Sequence, residues 1–114
     1  MGLFFNSGTQ EKKNQILRDI AIVNEALRKS ATTIDNNGIN RTTINSVNSI
    51  LGGVMDNITR VSSTVQSMTD SQCTGFTVPW IDGRYIGIMT WLMSMSTVTN
   101  SIAEDFENYV RRGY

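Results

Sequence analysis

Eight apolar residues, Ile44, Val47, Leu51, Val54, Ile58, Val61, Val65 and Met68, follow one another at alternating steps of three and four. No position in the series is missed, so the middle third of the chain carries an unbroken heptad seam sustained over more than three repeats. A strict 3.5-residue period places all eight on one edge of a helix and favours supercoiling against partner helices. The seam predicts a helix over about 41–70, roughly 40 Å long at about 1.5 Å per residue. A compact domain of 114 residues needs no rod of that length, which points to an elongated bundle.

Gly52 and Gly53 lie in the middle of this helix, and each costs about 1 kcal/mol relative to alanine there. Two readings follow: a break in the helix, or a place where another helix comes close because no side chains stand between the backbones. The heptad phase passes from Leu51 to Val54 unshifted and supports one continuous helix. Ile50 and Met55 flank the seam and widen its apolar face.

Two further helices are predicted. Ile16, Ile20, Val23 and Leu27 form a stripe within a first helix of about 9–34, and Ser7 with Gln10 has the form of a capping box. Asp35-Asn36-Asn37-Gly38 supplies the turn that ends it. The third helix, about 80–112, carries Ile88, Trp91, Leu92, Met95, Val98, Thr99, Ile102, Phe106, Tyr109 and Val110 as its stripe. Pro79 suits a first turn and Asp82 suits a cap of a slightly later start. Met89, Met93 and Ile86 fall beside or behind that stripe, so this helix is apolar around much of its girth. The fold class expected is therefore all-α: a single domain over 1–114, an elongated three-helix up-down-up bundle with coiled-coil-like packing, completed by oligomerisation.

Composition narrows function mainly by exclusion. Ten basic residues balance ten acidic ones, which argues against a nucleic-acid binder. The chain has no histidine, which removes His-based metal sites and proton shuttles. Cys73 is alone, so no internal disulfide forms, and nothing near it in sequence activates its thiol. Glu104, Asp105 and Glu107 point to different sides of a helix and read as a solvated surface. Gly83-Arg84-Tyr85-Ile86-Gly87 lacks the ending of a phosphate loop. No catalytic residue, metal ligand or cofactor is expected, and the chain is not read as an enzyme.

Targeting signals are equally sparse. Met1 to Phe5 is too short for a signal-peptide core and reads as a hydrophobic arm that packs on the body or on a neighbour; this leaves the location open and favours the cytoplasm. The Gly2 start misses the myristoylation pattern by one place, with its hydroxyl at Ser7. Asn40-Arg41-Thr42 and Asn57-Ile58-Thr59 match the glycosylation sequon by chance. Tyr85 to Ala103 is free of charge for 19 residues, but its seven polar residues favour a buried amphipathic helix over a membrane span.

Ser, Thr, Asn and Gln together number 39, while only 18% of residues are charged. A surface that is polar but weakly charged opposes self-association little. In these polar heptads with scarce charge and cysteine, the chain resembles small secreted or phage-borne helical assembly proteins, a likeness of composition that carries no residue over. The function expected is non-catalytic: self-assembly, or binding to another helical protein. The interface would comprise Ile44, Val47, Leu51, Gly52, Gly53, Val54, Met55, Ile58, Met89 and Met93. The alternative is an oligomeric protein that binds or sequesters a small anionic or nucleotide-like ligand. Phe76, Trp80, Tyr85 and Trp91 would supply stacking faces, and Arg84 would grip a phosphate or carboxylate. A membrane-embedded oligomer through 85–103 ranks third.

Overall fold

A computed structural model describes the backbone of residues 2–112 and the side chains of residues 8–112. The described residues are mostly α-helical, with four helices and one small antiparallel sheet. In chain order these are α1 (Gly2–Asn37), α2 (Arg41–Gln66), α3 (Asp70–Cys73), β1 (Thr77–Pro79), β2 (Tyr85–Gly87) and α4 (Ile88–Arg111). The molecule is elongated, 62 × 22 × 20 Å.

The turn between α1 and α2 is built from the residues its chemistry requires. Gly38 adopts φ +71°, a backbone that side chains rarely take, and its amide donates to Ile34 O at 2.8 Å. Asn40 then caps α2: its Oδ1 accepts from the Thr43 amide at 3.0 Å, and its Nδ2 donates to Asn37 O. With three residues between them, α1 and α2 run antiparallel. Lys12 Nζ donates to Ser67 O at 3.0 Å, and Gln72 Nε2 to Thr9 Oγ1 at 2.8 Å, at the end away from the turn.

All eight seam positions are buried, none more than 8% exposed. They meet Ile16, Ile20, Val23 and Leu27 of α1, Ile88, Trp91, Met95 and Phe106 of α4, and Val78 of β1 in one core. α2 is unbroken across Gly52 and Gly53. Leu51 and Val54, buried on either side of the pair, hold both halves of the helix against the same core and offset what the glycines cost.

Several boundaries differ from expectation. α1 starts ahead of the capping box expected at Ser7 and Gln10; the Ser7 side chain and the arm at Met1–Phe5 lie outside the described side chains. α2 stops at Gln66 rather than near 70, and α3 follows with its own capping box, Thr69 with Gln72. The largest correction concerns 80–87, expected as the start of the third helix. Those residues complete a β-hairpin in which Thr77 pairs with Gly87, Val78 with Ile86 and Pro79 with Tyr85. Pro79 ends a strand instead of opening a helix. Asp82 is no helix cap: its Oδ1 accepts from the Arg84 amide at 3.0 Å and holds the hairpin turn, with Gly83 at φ +91°. α4 begins only at Ile88, whose amide donates to Phe76 O at 3.0 Å.

Candidate interaction surface

The seam residues expected at an interface between copies, Ile44, Val47, Leu51, Val54 and Ile58, are spent inside the chain. α1 and α4 cover them, so a contact with any partner has to use other residues. The glycine pair is exposed, and a Cβ added to Gly52 or Gly53 would meet nothing within 4 Å. Among the described residues no side chain or backbone beyond the adjoining turns of α2 comes within 4 Å of those positions, and the backbone there is exposed.

The large apolar side chains exposed among the described residues are Ile22, Ile39, Met55, Tyr85, Met89, Met93 and Val110. Met93 is 72% exposed, Met89 53% and Met55 46%. Met89 and Met93 stand one turn apart on α4. Met89 lines a groove with Gln66, Val65 and Met68, which places it beside the last turns of α2. Met55 lies eleven residues before Gln66, almost in line with it at 100° per residue, and Gly52 lies one turn before Met55. One side of the molecule therefore presents three methionines among Gly52, Thr59, Ser62 and Gln66, with no charged side chain among these seven residues. Methionine is unbranched and polarisable and adapts to an irregular partner surface.

The aromatic and arginine residues at 76–91 are not drawn into one site. Trp91 is fully buried in the core. Phe76 is half-buried, with Lys13 Nζ 5.2 Å from its ring centre. Trp80 is half-buried and Tyr85 is 69% exposed. Arg84 Nε donates to Asp82 Oδ2 at 2.6 Å within the exposed hairpin turn. That arginine also holds the Asp82 carboxyl below the usual aspartate range, chiefly through the hydrogen bond from its backbone amide.

Two of the grooves along α1 bear on binding. An open polar one of about 890 Å³ runs between α1 and α2, lined by Glu11, Lys12, Gln15, Arg18, Ser63 and Ser67 among others. Its cations already have partners: Lys12 bonds Ser67 O and Arg18 Nη2 bonds Gln15 Oε1. The other, about 630 Å³, is apolar and lies where Leu27, Ala31 and Ile34 of α1 face Ile81, Val98 and Ile102.

Sequence reasoning missed the buried polar residues Asp19, Asn24 and Asn57. Asp19 is 3% exposed, receiving Gln15 Nε2 at 3.2 Å with Arg60 Nε at 3.9 Å. Arg60 Nη2 also donates to Asn57 Oδ1, and buried Asn57 donates to Gly53 O. Asn24, 2% exposed, bonds Pro79 O. The available signal was position: Asp19 directly precedes Ile20, Asn24 follows Val23 and Asn57 precedes Ile58, each at the margin of an apolar stripe.

Among the described residues no group of three or more Cys, Asp or Glu is placed to hold a metal ion, and no helix is long and apolar enough to cross a membrane. No protein-family model, curated protein or solved structure matches the chain.

Proposed function

We propose that this protein is a non-catalytic helical assembly module. In this reading α1, α2 and α4 form an up-down-up bundle with coiled-coil-like packing, and copies associate laterally through the methionine face of α2 and α4. The observation that carries it is the exposure of Met55, Met89 and Met93, with Met55 one turn from a glycine pair at which an added Cβ would meet nothing within 4 Å among the described residues. Large apolar side chains next to a bare helix backbone let a second helix approach closely while burying apolar area on both sides. The even charge balance adds little repulsion between identical copies. The interface is therefore assigned to Gly52, Gly53, Met55, Met89 and Met93, and the seam serves the interior of each copy.

Light-scattering mass in plain buffer tests this. A mass above 12.7 kDa that Met93→Glu and Met89→Glu lower, with helical circular dichroism unchanged, supports the reading. A monodisperse monomer at high concentration overturns it.

A further inference from the structure

The methionines of the chain divide by position. Of the six, five lie among the described residues. Met55, Met89 and Met93 are exposed, and the helix phase of α2 and α4 places them on one side of the molecule. Met68 and Met95 are buried in the core, Met95 completely. A thioether takes up oxygen to become a sulfoxide, which is polar and chiral where the parent side chain was apolar and flexible. An exposed sulfur meets a peroxide directly, whereas a buried one waits until the fold opens around it. The sulfurs that oxidant reaches are therefore those of the face, and the sulfurs it does not reach are those of the core.

We propose that Met55, Met89 and Met93 are sites of reversible oxidation to the sulfoxide, and that this modification releases copies from one another without unfolding them. The inference deepens the lateral contact proposed above and rests on it. The thioether sulfur attacks one oxygen of hydrogen peroxide: an S–O bond forms, the O–O bond breaks, a proton passes to the departing oxygen, and water leaves. The sulfur loses the two electrons that the peroxide gains. A dithiol reductant reverses the change, taking the oxygen away as water and becoming a disulfide. Covering a sulfoxide with a second copy strips its oxygen of solvent, and the nearby Thr59 hydroxyl already donates to the Met55 carbonyl at 2.9 Å. One acceptor left unmet in the contact weakens it by about tenfold. A paired face is shielded, so the oxidant acts on the free copy and keeps it free.

Limited hydrogen peroxide treatment of the full chain carrying Cys73→Ser tests this. The substitution removes the half-buried thiol, which takes up the same oxidant; Cys73→Ala replaces it if circular dichroism shows the serine variant misfolded. Peptide mass spectrometry is expected to find one added oxygen at each of Met55, Met89 and Met93 well before Met68 and Met95, with helical circular dichroism unchanged. The rates at the three exposed sites should fall as protein concentration rises. Light-scattering mass should drop to that of one copy and recover after treatment with methionine sulfoxide reductase and dithiothreitol. A variant combining Met55→Leu, Met89→Leu and Met93→Leu keeps the apolar face and should stay associated in peroxide. Oxidation of Met68 or Met95 as fast as Met93 overturns the inference. So does an oxidised face that associates like the untreated one, or a triple leucine variant that peroxide dissociates equally. If Met93→Glu lowers the mass and the sulfoxides do not, the lateral reading stands and this one falls. A wild type that is monomeric before oxidant is added sinks the lateral reading and this one with it.

Discussion

Asn24, in the middle of α1, donates from Nδ2 to the carbonyl oxygen of Pro79 at 2.8 Å, across 55 positions of sequence. Pro79 ends β1, so this bond ties the hairpin to the long helix from within the core. Among the described residues Asn24 Oδ1 is buried without a hydrogen-bond partner, as is Trp91 Nε1. Asn24→Ala leaves the carbonyl of half-buried Pro79 without this donor. A loss of about 1–3 kcal/mol is expected, read as a lower denaturant midpoint together with faster amide exchange at Val78 and Ile86.

Glycine substitutions should divide by backbone. Gly52→Ala and Gly53→Ala each add a helix-favouring residue into open space, and each should stabilise the monomer fold by about 0.5–1 kcal/mol. Gly38→Ala and Gly83→Ala place a side chain on a positive-φ backbone and should destabilise by about 1–2 kcal/mol. Thermal melts of the four variants check the sign of each. A gain in melting temperature at Gly52 accompanied by weaker association would tie that bare backbone to the lateral contact.

Leu51→Asp places a carboxylate at a core position 8% exposed. The cost is several kcal/mol, comparable with the about 5–15 kcal/mol that separates folded from unfolded domains. Loss of helical circular dichroism is expected, whereas Met93→Asp on the exposed face should keep it. A folded Leu51→Asp protein would mean that the seam is not core.

Acid should loosen the hairpin turn. Asp82 has a lowered pKa in the folded chain, chiefly from the Arg84 amide hydrogen bond, so the fold favours its charged form. Its contribution is complete above the ordinary aspartate value and disappears as pH falls through the lowered folded value. The Arg84 amide resonance, followed by NMR through that window, should shift as the carboxyl takes its proton. In Asp82→Asn the same resonance should stay still.

What was legible in the sequence follows from what sets each signal. The α2 seam and the α1 stripe were readable because burial against one core imposes a period, and Ile16 through Leu27 and Ile44 through Met68 keep that period without interruption. The destination of the seam was not readable. A heptad says that an edge must be covered, and nothing in it distinguishes another copy from α1 and α4 of the same chain. The hairpin was hidden for a different reason. Strands of three residues are too short to display alternation, and the Asp82-Gly83 pair, a hairpin signal, sat where a helix cap was equally plausible. Met89 and Met93 stood out because they fell outside the α4 stripe, and both are exposed. Asp19 and Asn24 offered only their place at the margin of the α1 stripe, since a buried polar residue is paired only once the fold brings its partner.

The tight turn at Gly38 also governs how the molecule comes together. Only three residues separate α1 from α2, so closing that loop costs little chain entropy, and the two helices can pair while the remainder of the polypeptide is still being synthesised. The pair cannot cover the strip that Trp91, Met95 and Phe106 will later occupy. A newborn chain halted before α4 would expose that strip to any neighbour, so ribosomes carrying this message at high density offer the greatest opportunity for misassembly.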